Sequence, residues 1–326
     1  MYYEDNRNIT LKFVVELKIS AYTYILMTYT LQEISNHLED DLTEMMKRSG
    51  MMFRLFSRVK TERSIRHKMD FKGALYRAGK ATMQDIIGFR IVLYFQDDVE
   101  ALMRYLTTKD LVRKSVDAPD STTFRPQRLN ITRSLPVEFV EDFRRQLPAE
   151  FSEFIDSTYE VQIRTIFSEG WHEVEHDLRY KCKEDWLGCE QYSRSLNGVI
   201  ATLETAEWSM KSIFHDMAYQ NYRHGNYRAM MRNKLRIRLV DDDFSPAVSE
   251  FLQTHRQVAK GVIKLTRLVF VTTLLTQPLH LDLTFDNVLF LINRLDIHNC
   301  ELQALESDET RIMLDDYLKL GKDEIA

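Results

Sequence analysis

Apolar residues recur at intervals of three and four near the start of the chain. They are Leu31, Ile34, Leu38, Leu42 and Met45. Residues at this spacing lie on one face of an α-helix, so the pattern predicts an amphipathic helix packed against a core. The Ser49-Gly50 pair that follows is typical of a helix end. Residues 1–50 are therefore interpreted as an N-terminal helical region.

The apolar pattern changes several times between residues 51 and 182. Alternating or continuous apolar runs predict strands over 52–60, 88–95, 111–116, 127–133 and 158–165. Helical spacing predicts helices over 64–77, 97–108 and 167–181, with a helical insertion over 137–156. Strands interspersed with helices predict a mixed β-sheet flanked by helices, which is an α/β or α+β fold.

The last part of the chain, residues 183–326, is interpreted as a C-terminal helical region. Helices are expected over 191–218, from about Ser245 onward, and over 307–320. No pattern in this region indicates a chemical role. The sequence thus predicts three segments, 1–50, 51–182 and 183–326, with helical extensions on both sides of a central domain.

Composition narrows the class of protein. The chain has 326 residues, of which 44% are hydrophobic and 29% charged, as is ordinary for a globular protein. The net charge of -5 gives no general attraction to nucleic acid, so any nucleotide binding requires a local basic patch. Three scattered cysteines without a Cys-x-x-Cys pair favour a reduced, cytoplasmic setting.

Two apolar stretches are too charged or too short to cross a membrane. Residues 13–31 contain Glu16 and Lys18, and residues 268–275 form a run of only eight. A spanning helix needs about 20 mostly apolar residues. The start of the chain also lacks the basic region of a secretory signal. We therefore expect no membrane association.

Two separate segments each combine a carboxylate and an arginine with an apolar, strand-like run. The first extends from Asp85 to Arg90, and the second from Glu160 to Arg164. Two carboxylates can hold Mg²⁺, and guanidinium groups can neutralise phosphate charge, so the pair suits metal-assisted phosphoryl transfer. Taken singly, Asp85 could instead cap a helix and Glu160 could form a cross-strand ion pair.

A basic segment precedes the first of these motifs. Lys60 ends a predicted strand, and a predicted helix starts near Ser64. Ser64 and Lys68 are four residues apart, so they share one face of that helix. A helix N-terminus with a hydroxyl and a lysine can bind a triphosphate. The alternative is a solvated basic helix face, which is the commoner meaning of a charge run.

A literal His-Glu-x-x-His pattern occupies residues 172–176. Two histidines four residues apart on a helix, His172 and His176, can bind zinc, with Glu173 as a base. No clear third ligand stands out in the sequence. Packing of both histidines near the sheet edge is therefore preferred over a zinc protease.

The order of these motifs resembles the RelA/SpoT nucleotidyltransferase family, which includes alarmone synthetases. The matching motifs are Arg58-x-Lys60-x-x-x-Ser64-Ile65-x-x-Lys68, Asp85-Ile86-x-Gly88-x-Arg90, Glu160-x-Gln162-Ile163-Arg164-Thr165 and Trp171-x-x-x-Glu175-His176-x-x-x-Tyr180-Lys181. The resemblance covers about residues 52–182. It implies a nucleotidyltransferase-like fold and a small, synthesis-only enzyme, since only about fifty residues precede the matching part.

The resemblance also implies a reaction and roles for the matching residues. ATP would donate its β,γ-pyrophosphoryl group to the 3′-hydroxyl of GDP or GTP, giving the alarmones ppGpp and pppGpp. Asp85 and Glu160 are implied as catalytic residues that hold Mg²⁺ or Mn²⁺, with Glu160 also accepting a proton. The implied ATP-binding residues are Arg58, Lys60, Ser64, Lys68 and Arg90, with the two arginines on the adenine. The implied supporting residues are Arg164, Glu175 and His176.

The acceptor half departs from the family pattern. In place of a Gly-Tyr-x-Ser-x-His block, whose tyrosine stacks on guanine, the chain has Thr123-Phe124-Arg-Pro-Gln-Arg128-Leu-Asn130. Phe124 is expected to stack on the base, and the other expected acceptor contacts are Arg128, Asn130 and Gln162. Because family members also modify the 3′ end of tRNA or use adenosine nucleotides, those acceptors stay open. A non-catalytic nucleotide-binding module and a homo-oligomer also stay open.

Overall fold

The computed structural model describes residues 29–108, 110–116, 129–277 and 279–323. The chain divides into two compact units. The first unit contains the described residues up to Leu38, together with Arg58–Ile87 and Ser134–Tyr159. The second contains Glu39–Ser57 and the described residues of 88–133 and of 160–326. The predicted division into segments at residues 50 and 182 stays a prediction.

Five strands form the sheet of this protein. They are β1 (Phe53–Val59), β2 (Ile87–Leu93), β3 (Leu111–Val116), β4 (Leu129–Ser134) and β5 (Thr158–Thr165). Their order across the sheet is β1-β2-β5-β4-β3, so β2 and β5 are central neighbours. All five lie where the apolar runs predict strands. The predicted fold class, a mixed sheet with flanking helices, is confirmed.

Backbone hydrogen bonds at the strand ends give the directions of pairing. The amide of Lys60 donates to the carbonyl of Ile86, and the amide of Tyr94 donates to the carbonyl of Met52. These pairs run in opposite directions along the chain, so β1 and β2 are antiparallel. Strands β3 and β4 also pair antiparallel, whereas an isolated bridge just ahead of β2 and β5 is parallel. The sheet is therefore mixed.

Helices make up most of the remaining described structure. In the first half they are α1 (Leu31–Arg48), α2 (Glu62–Arg77), α3 (Gln96–Leu106), α4 (Val137–Arg145) and α5 (Ile166–Glu175). In the second half they are α6 (Glu190–Arg223), α7 (Tyr227–Leu235), α8 (Pro246–Thr254), α9 (Arg256–Lys264), α10 (Arg267–Thr276), α11 (Phe285–Ile292), α12 (Cys300–Gln303) and α13 (Asp308–Asp323). The C-terminal region is thus helical in its described elements, as the sequence predicts.

Local signals explain where the first helices begin and end. Thr30 and Glu33 cap α1 reciprocally, because the side chain of each accepts from the backbone amide of the other, at 2.7 and 3.2 Å. Gly50 follows α1 with φ 69°, a left-handed conformation that favours glycine. Thr61 caps α2 by accepting from the amide of Ser64. The helix end predicted at Ser49-Gly50 is confirmed.

Two predicted helices are shorter than the sequence pattern indicates. The insertion expected to be helical over 137–156 is an α-helix only over Val137–Arg145. Pro148 explains the early end, because proline lacks an amide and disfavours helical backbone in the residue before it. The helix predicted over 167–181 is α-helical to Glu175 and then widens into a π-turn at His176–Tyr180.

The central strands carry the best-buried part of the sheet. Phe89 and Ile91 of β2, with Val161 and Ile163 of β5, are at most 1% exposed. Successive strand side chains point to opposite faces, so the polar residues between these four share the other face of their strand. Those polar residues are Arg90 of β2 and Gln162 of β5. Within the described residues, no helix is both long enough and apolar enough to cross a membrane.

Candidate active site

One carboxylate and two lysines form a compact cluster in the first unit. Lys60 follows β1, Lys68 lies on α2, and Asp85 precedes β2. Lys68 Nζ donates to both carboxylate oxygens of Asp85, at 2.7 and 2.8 Å. Lys60 Nζ donates to the backbone carbonyl of Asp85 at 3.1 Å and to its Oδ2. The fold therefore brings together three residues that the sequence assigns to phosphate and metal binding.

Partial burial strengthens the electrostatics of this cluster. The side chains of Lys60, Lys68 and Asp85 are 10%, 26% and 23% exposed. Burial alone would raise the pKa of Asp85, but the ammonium groups of Lys60 and Lys68 outweigh burial and hold that pKa below its usual value. Burial lowers the pKa of Lys60, against the opposing effect of Asp85. Asp85 is therefore ionised at neutral pH.

The first turn of α2 supplies groups that suit a phosphate. Ser64 is exposed there, and its Oγ is 2.9 Å from Thr61 Oγ1. Lys68 lies one turn further along the same helix face. Backbone amides at a helix N-terminus and the positive end of the helix dipole both attract anions. Arg58 is exposed on β1 in the same unit.

Arg90, in the second unit, is anchored by two carboxylates of helix α5. Its Nη1 donates to Glu169 Oε1 at 2.6 Å and also to Glu173 Oε1. Its Nε donates to Gln162 Oε1 at 3.3 Å. These contacts use the edge of the guanidinium group, where its N–H bonds lie, and not its flat faces. An arginine held by its edge can still stack on a planar ring.

Glu160 and Gln162 are two residues apart on β5, so their side chains share one face of the strand. Gln162 Nε2 donates to Glu160 Oε2 at 3.1 Å, while its Oε1 accepts from Arg90. The amide of Gln162 therefore connects the arginine with the carboxylate. The predicted site residues that the second unit brings together are Arg90, Glu160 and Gln162.

Sequence reasoning missed Glu169 and Glu173 as partners of Arg90. They are four residues apart on α5, and such a pair in a sequence usually marks a solvated helix face. The available signal is Thr165, whose side chain caps α5 directly after β5 in a capping box with Ser168. Thr165 is both the last residue of β5 and the N-cap of α5, so no loop separates the two elements. Such a direct connection keeps Glu169 and Glu173 close to the end of β5.

The three predicted supporting residues have different environments. Arg164 is buried on β5, and its Nε is 3.9 Å from Glu169 Oε2. Glu175 is buried at the end of α5 and accepts from Arg179 Nη2 at 3.3 Å. His176 begins the π-turn and is half exposed. Arg164 and Glu175 thus have structural partners, and the supporting roles of all three stay predictions.

The His-Glu-x-x-His pattern has a split environment. His172 is 5% exposed, whereas the side chain of His176 is 50% exposed. Glu173, the base of the zinc alternative, instead contacts Arg90. Across the part of the chain that the structure describes, no group of three or more His, Cys, Asp and Glu side chains is placed to hold a metal ion. The zinc alternative therefore gains no third ligand.

Asp85 and Glu160 are the carboxylates predicted to hold Mg²⁺. Asp85 belongs to the first unit and Glu160 to the second. Both side chains are partly accessible to solvent, and their carboxylate oxygens are the hard donors that Mg²⁺ prefers. The residues fit the ion in chemical type, and their role as ligands stays a prediction.

The predicted acceptor-binding residues are described only in part. Phe124 and Arg128 lie outside the described residues. Asn130 is half-buried on β4, opposite Ser115 of β3. Its buried Oδ1 accepts no hydrogen bond from any described residue. Buried polar atoms normally have a partner. The role of Asn130 in binding the acceptor stays a prediction.

Residues 57–185 match a family described as the region found in RelA / SpoT proteins. The matched range contains both clusters described above. A comparison with curated proteins finds no match.

The chain is similar to several solved structures. The small alarmone synthetase 1 from Bacillus subtilis bound to its product pppGpp has 22% identity and a TM-score of 0.40, covering 60% of this chain and 96% of that one. The same protein bound to AMPCPP has 22% identity and a TM-score of 0.37, covering 60% and 96%. A GTP pyrophosphokinase family protein from Streptococcus pneumoniae has 21% identity and a TM-score of 0.41, covering 59% and 92%. At TM-scores below 0.5, these likenesses carry no functional conclusion for this chain.

Proposed function

Because residues 57–185 place this chain in the RelA/SpoT family, we propose that it transfers the β,γ-pyrophosphoryl group of ATP to the 3′-hydroxyl of GDP or GTP. The observation that carries the proposal is the carboxylate of Asp85 held between the ammonium groups of Lys60 and Lys68. A triphosphate with bound Mg²⁺ needs positive side chains beside its oxygens and a carboxylate as a ligand of the metal. The two lysines and Asp85 provide these groups.

Phosphate binding falls to the first unit. Lys60 and Lys68 neutralise phosphate oxygens, and the amides at the start of α2, with the hydroxyl of Ser64, donate hydrogen bonds to them. Bound Mg²⁺ supplies further neutralisation of the charge that develops during transfer. Asp85 and Glu160 are the residues proposed to hold it.

Arg58 and Arg90 are proposed to bind the adenine, and Glu160 is proposed to accept a proton. Arg58 and Arg90 stack on the adenine, and Glu169 and Glu173 keep the guanidinium of Arg90 in place by its edge. The acceptor oxygen forms a bond to the β-phosphorus, the bond from that phosphorus to the α,β-bridging oxygen breaks, and AMP leaves. Glu160, oriented by Gln162, takes the proton of the attacking hydroxyl.

Substitution of the two carboxylates tests the activity. Asp85→Asn and Glu160→Gln each remove a metal-ligand charge with little change in shape, so transfer from γ-labelled ATP should fall to less than about a tenth. Asp70→Asn, at an exposed position on α2, is the matched control and should retain activity. Retention of activity by either site variant, with the control unchanged, would reject the site.

Metal content separates this proposal from the zinc protease alternative. Transfer should require Mg²⁺ or Mn²⁺, and elemental analysis should find no stoichiometric zinc. One zinc per chain that is lost in His176→Ala would support the alternative.

The acceptor is tested by thin-layer chromatography with γ-labelled ATP. The acceptors to compare are GDP, GTP, AMP, ADP, ATP and deacylated tRNA. GDP and GTP should be labelled, with weaker selectivity over adenosine nucleotides than a tyrosine in the loop would give. Phe124→Ala should raise the acceptor KM and spare the ATP KM, because a stacked aromatic ring contributes about 1–3 kcal/mol. If only tRNA is labelled, the acceptor is the 3′ end of tRNA and not a guanosine nucleotide.

A further inference from the structure

A cavity of about 450 Å³ lies in the second unit, and its lining includes none of the residues assigned to ATP, metal or acceptor. Three stretches of the chain supply the lining, within 47–53, 238–240 and 279–283. Cavities that bind small molecules usually measure about 300–1,000 Å³. This cavity is therefore large enough for a small organic ligand.

Backbone contacts hold the three stretches together. The amide of Arg238 donates to the carbonyl of Gly50 at 2.7 Å, and the amide of Val240 donates to the carbonyl of Leu283 at 3.1 Å. The middle stretch thus bonds to both of the others. Gly50 also lets them approach closely, because a Cβ at that position would lie only 2.8 Å from Leu283 Cδ1. The walls of the cavity are therefore fixed by packed backbone.

The floor of the cavity is apolar. Met51, Leu279 and Leu283 are buried there, Phe53 is half-buried beside them, and Val240 is exposed at the rim. The described lining contains no serine, threonine, asparagine, glutamine, tyrosine or tryptophan. A nucleobase or a sugar would leave its polar groups unpaired against such a floor. An aliphatic chain needs no hydrogen-bonding partners, so it suits this floor better.

The rim of the cavity is positively charged. Lys47, Arg48 and Arg238 lie there with His280, against one carboxylate in the described lining, that of Asp282. Arg48 has a carboxylate partner on α1, whereas no hydrogen bond or ion pair joins the side chains of the other three basic residues to a described residue. This local excess of cations occurs in a chain whose net charge is -5. The rim therefore attracts an anion.

Helix ends explain only part of this basic rim. Lys47 and Arg48 lie in the last turn of α1, where cations commonly offset the helix dipole. Arg238 instead lies beyond the end of α7, and His280 lies between α10 and α11. A guanidinium group without a protein partner can bind a carboxylate or a phosphate through two parallel hydrogen bonds.

We propose that this cavity binds an aliphatic acid, that is, a flexible apolar chain that ends in one anionic group. The chain packs against Met51, Leu279 and Leu283, and the anionic group binds between Arg238 and Lys47. Burial of the chain supplies affinity, and the two cations select an acid over a neutral molecule of the same shape. The site does not depend on the proposed pyrophosphoryl transfer.

Isothermal titration calorimetry of the full chain with sodium decanoate tests the site. One decanoate per chain should bind, and hexanoate should bind roughly 10- to 100-fold more weakly, because four fewer methylenes are buried. Decanol, which has the same chain without the charge, should bind about 10-fold more weakly than decanoate. Absence of saturable decanoate binding, or equal affinity for the acid and the alcohol, would overturn the proposal.

Substitution of the two cations locates the anionic group. Lys47→Gln with Arg238→Gln should weaken decanoate binding about 10-fold or more and change decanol binding by less than about 2-fold. The matched control is Arg194→Gln with Lys260→Gln, which removes the same two charge types from exposed positions on α6 and α9. The control should bind decanoate as the wild type does. Wild-type affinity in the rim variant, or an equal loss in the control, would reject the assignment.

A pair of exposed valines tests the place of binding. Val240 and Val269 are 66% and 59% exposed, so circular dichroism should show both glutamate variants folded. Val240 lines the cavity, whereas Val269 lies on α10 outside it. Val240→Glu should repel the anion and raise the decanoate Kd about 10-fold, and Val269→Glu should leave the Kd unchanged. Equal effects of the two substitutions would show that decanoate binds elsewhere.

Discussion

Arg90 Nη1 of β2 lies 2.6 Å from Glu169 Oε1 of α5. The side chain of Glu169 is only 16% exposed and that of Arg90 33%, so the ion pair is shielded from water. Glu173, one helical turn further along α5, contacts the same nitrogen but is 54% exposed. Helix α5, which follows β5 along the chain, therefore fixes Arg90 of β2. One guanidinium group thus joins two segments that are far apart in sequence.

We predict that loss of either anchor impairs ATP binding more than the chemical step. Glu169→Gln should raise the ATP KM about 10-fold, because a buried charge-assisted hydrogen bond is worth roughly 1.5–3 kcal/mol and part of it survives. Glu173→Gln should have a smaller effect, because exposed ion pairs are weaker. Steady-state kinetics with ATP varied would measure both.

Arg90→Lys separates charge from planarity at the same position. Lysine keeps the charge but cannot stack as a flat group, so ATP affinity should fall. Glu100→Gln is the control, since it removes only a local pair with Arg104 on α3. Unchanged ATP affinity in Arg90→Lys would assign Arg90 a structural role alone.

We predict that Asp85 makes unfolding depend on pH below about 4. The folded-state pKa of Asp85 is lowered, because Lys60 and Lys68 outweigh the effect of burial. An unfolded aspartate has a pKa of about 3.9, so the unfolded chain binds a proton just below that pH and the folded chain does not. The stabilisation is present above that pH and is lost as the pH falls through the folded-state pKa.

Urea unfolding between pH 6 and pH 2 would measure this effect. The free energy of unfolding of wild type should fall more steeply below about pH 4 than that of Asp85→Asn. Asp70→Asn should follow the wild-type curve, because Asp70 is exposed. Parallel curves for wild type and Asp85→Asn would show that the two lysines do not stabilise this carboxylate.

We predict that a buried ion cluster holds α10 against α3 in the second unit. Asp98 is fully buried, and its Oδ1 is 2.6 Å from Arg267 Nη1, which is also 3.3 Å from Asp97 Oδ2. Asp98→Ala leaves a buried arginine without its nearest carboxylate, which typically costs about 3–5 kcal/mol. Asp242→Ala, at a 99% exposed position, should change stability by less than about 0.5 kcal/mol. Equal urea midpoints for wild type and Asp98→Ala would contradict a stabilising role of this cluster.

We predict that Gly50 tolerates alanine less well than Gly79 does. Both have left-handed backbone, with φ 69° and 67°, so alanine costs about 1–2 kcal/mol at either position. At Gly50 a Cβ would also lie 2.8 Å from Leu283 Cδ1 and 3.0 Å from Ile237 Cβ, whereas at Gly79 it meets nothing within 4 Å. In thermal unfolding, the Tm of Gly50→Ala should therefore be lower than the Tm of Gly79→Ala. The reverse order would show that the backbone near Gly50 moves aside easily.

Sequence reasoning identified the elements best where one physical signal dominates. The apolar run around Arg90 predicts a buried strand over 88–95, and β2 occupies Ile87–Leu93, two residues short of the predicted end. The predicted strand over 158–165 coincides with β5. The helix over 137–156 was wrong in its second half, because one proline at residue 148 outweighs the weak apolar spacing around it. The ends of helices and strands thus depend on single residues such as Pro148. Their central parts follow from an apolar pattern that several residues share.

The sequence by itself determined which residue types carry the candidate chemistry, because lysine, arginine and carboxylate spacing follows the strand and helix periods. Only the tertiary structure decided which charges meet. Asp85 faces Lys60 and Lys68 because β1, α2 and the start of β2 converge. Arg90 meets Glu169 because the fold of the second unit brings β2 and α5 together. Charge pairing of this kind depends on distances of a few ångström between segments far apart in the chain, and no local pattern encodes those distances.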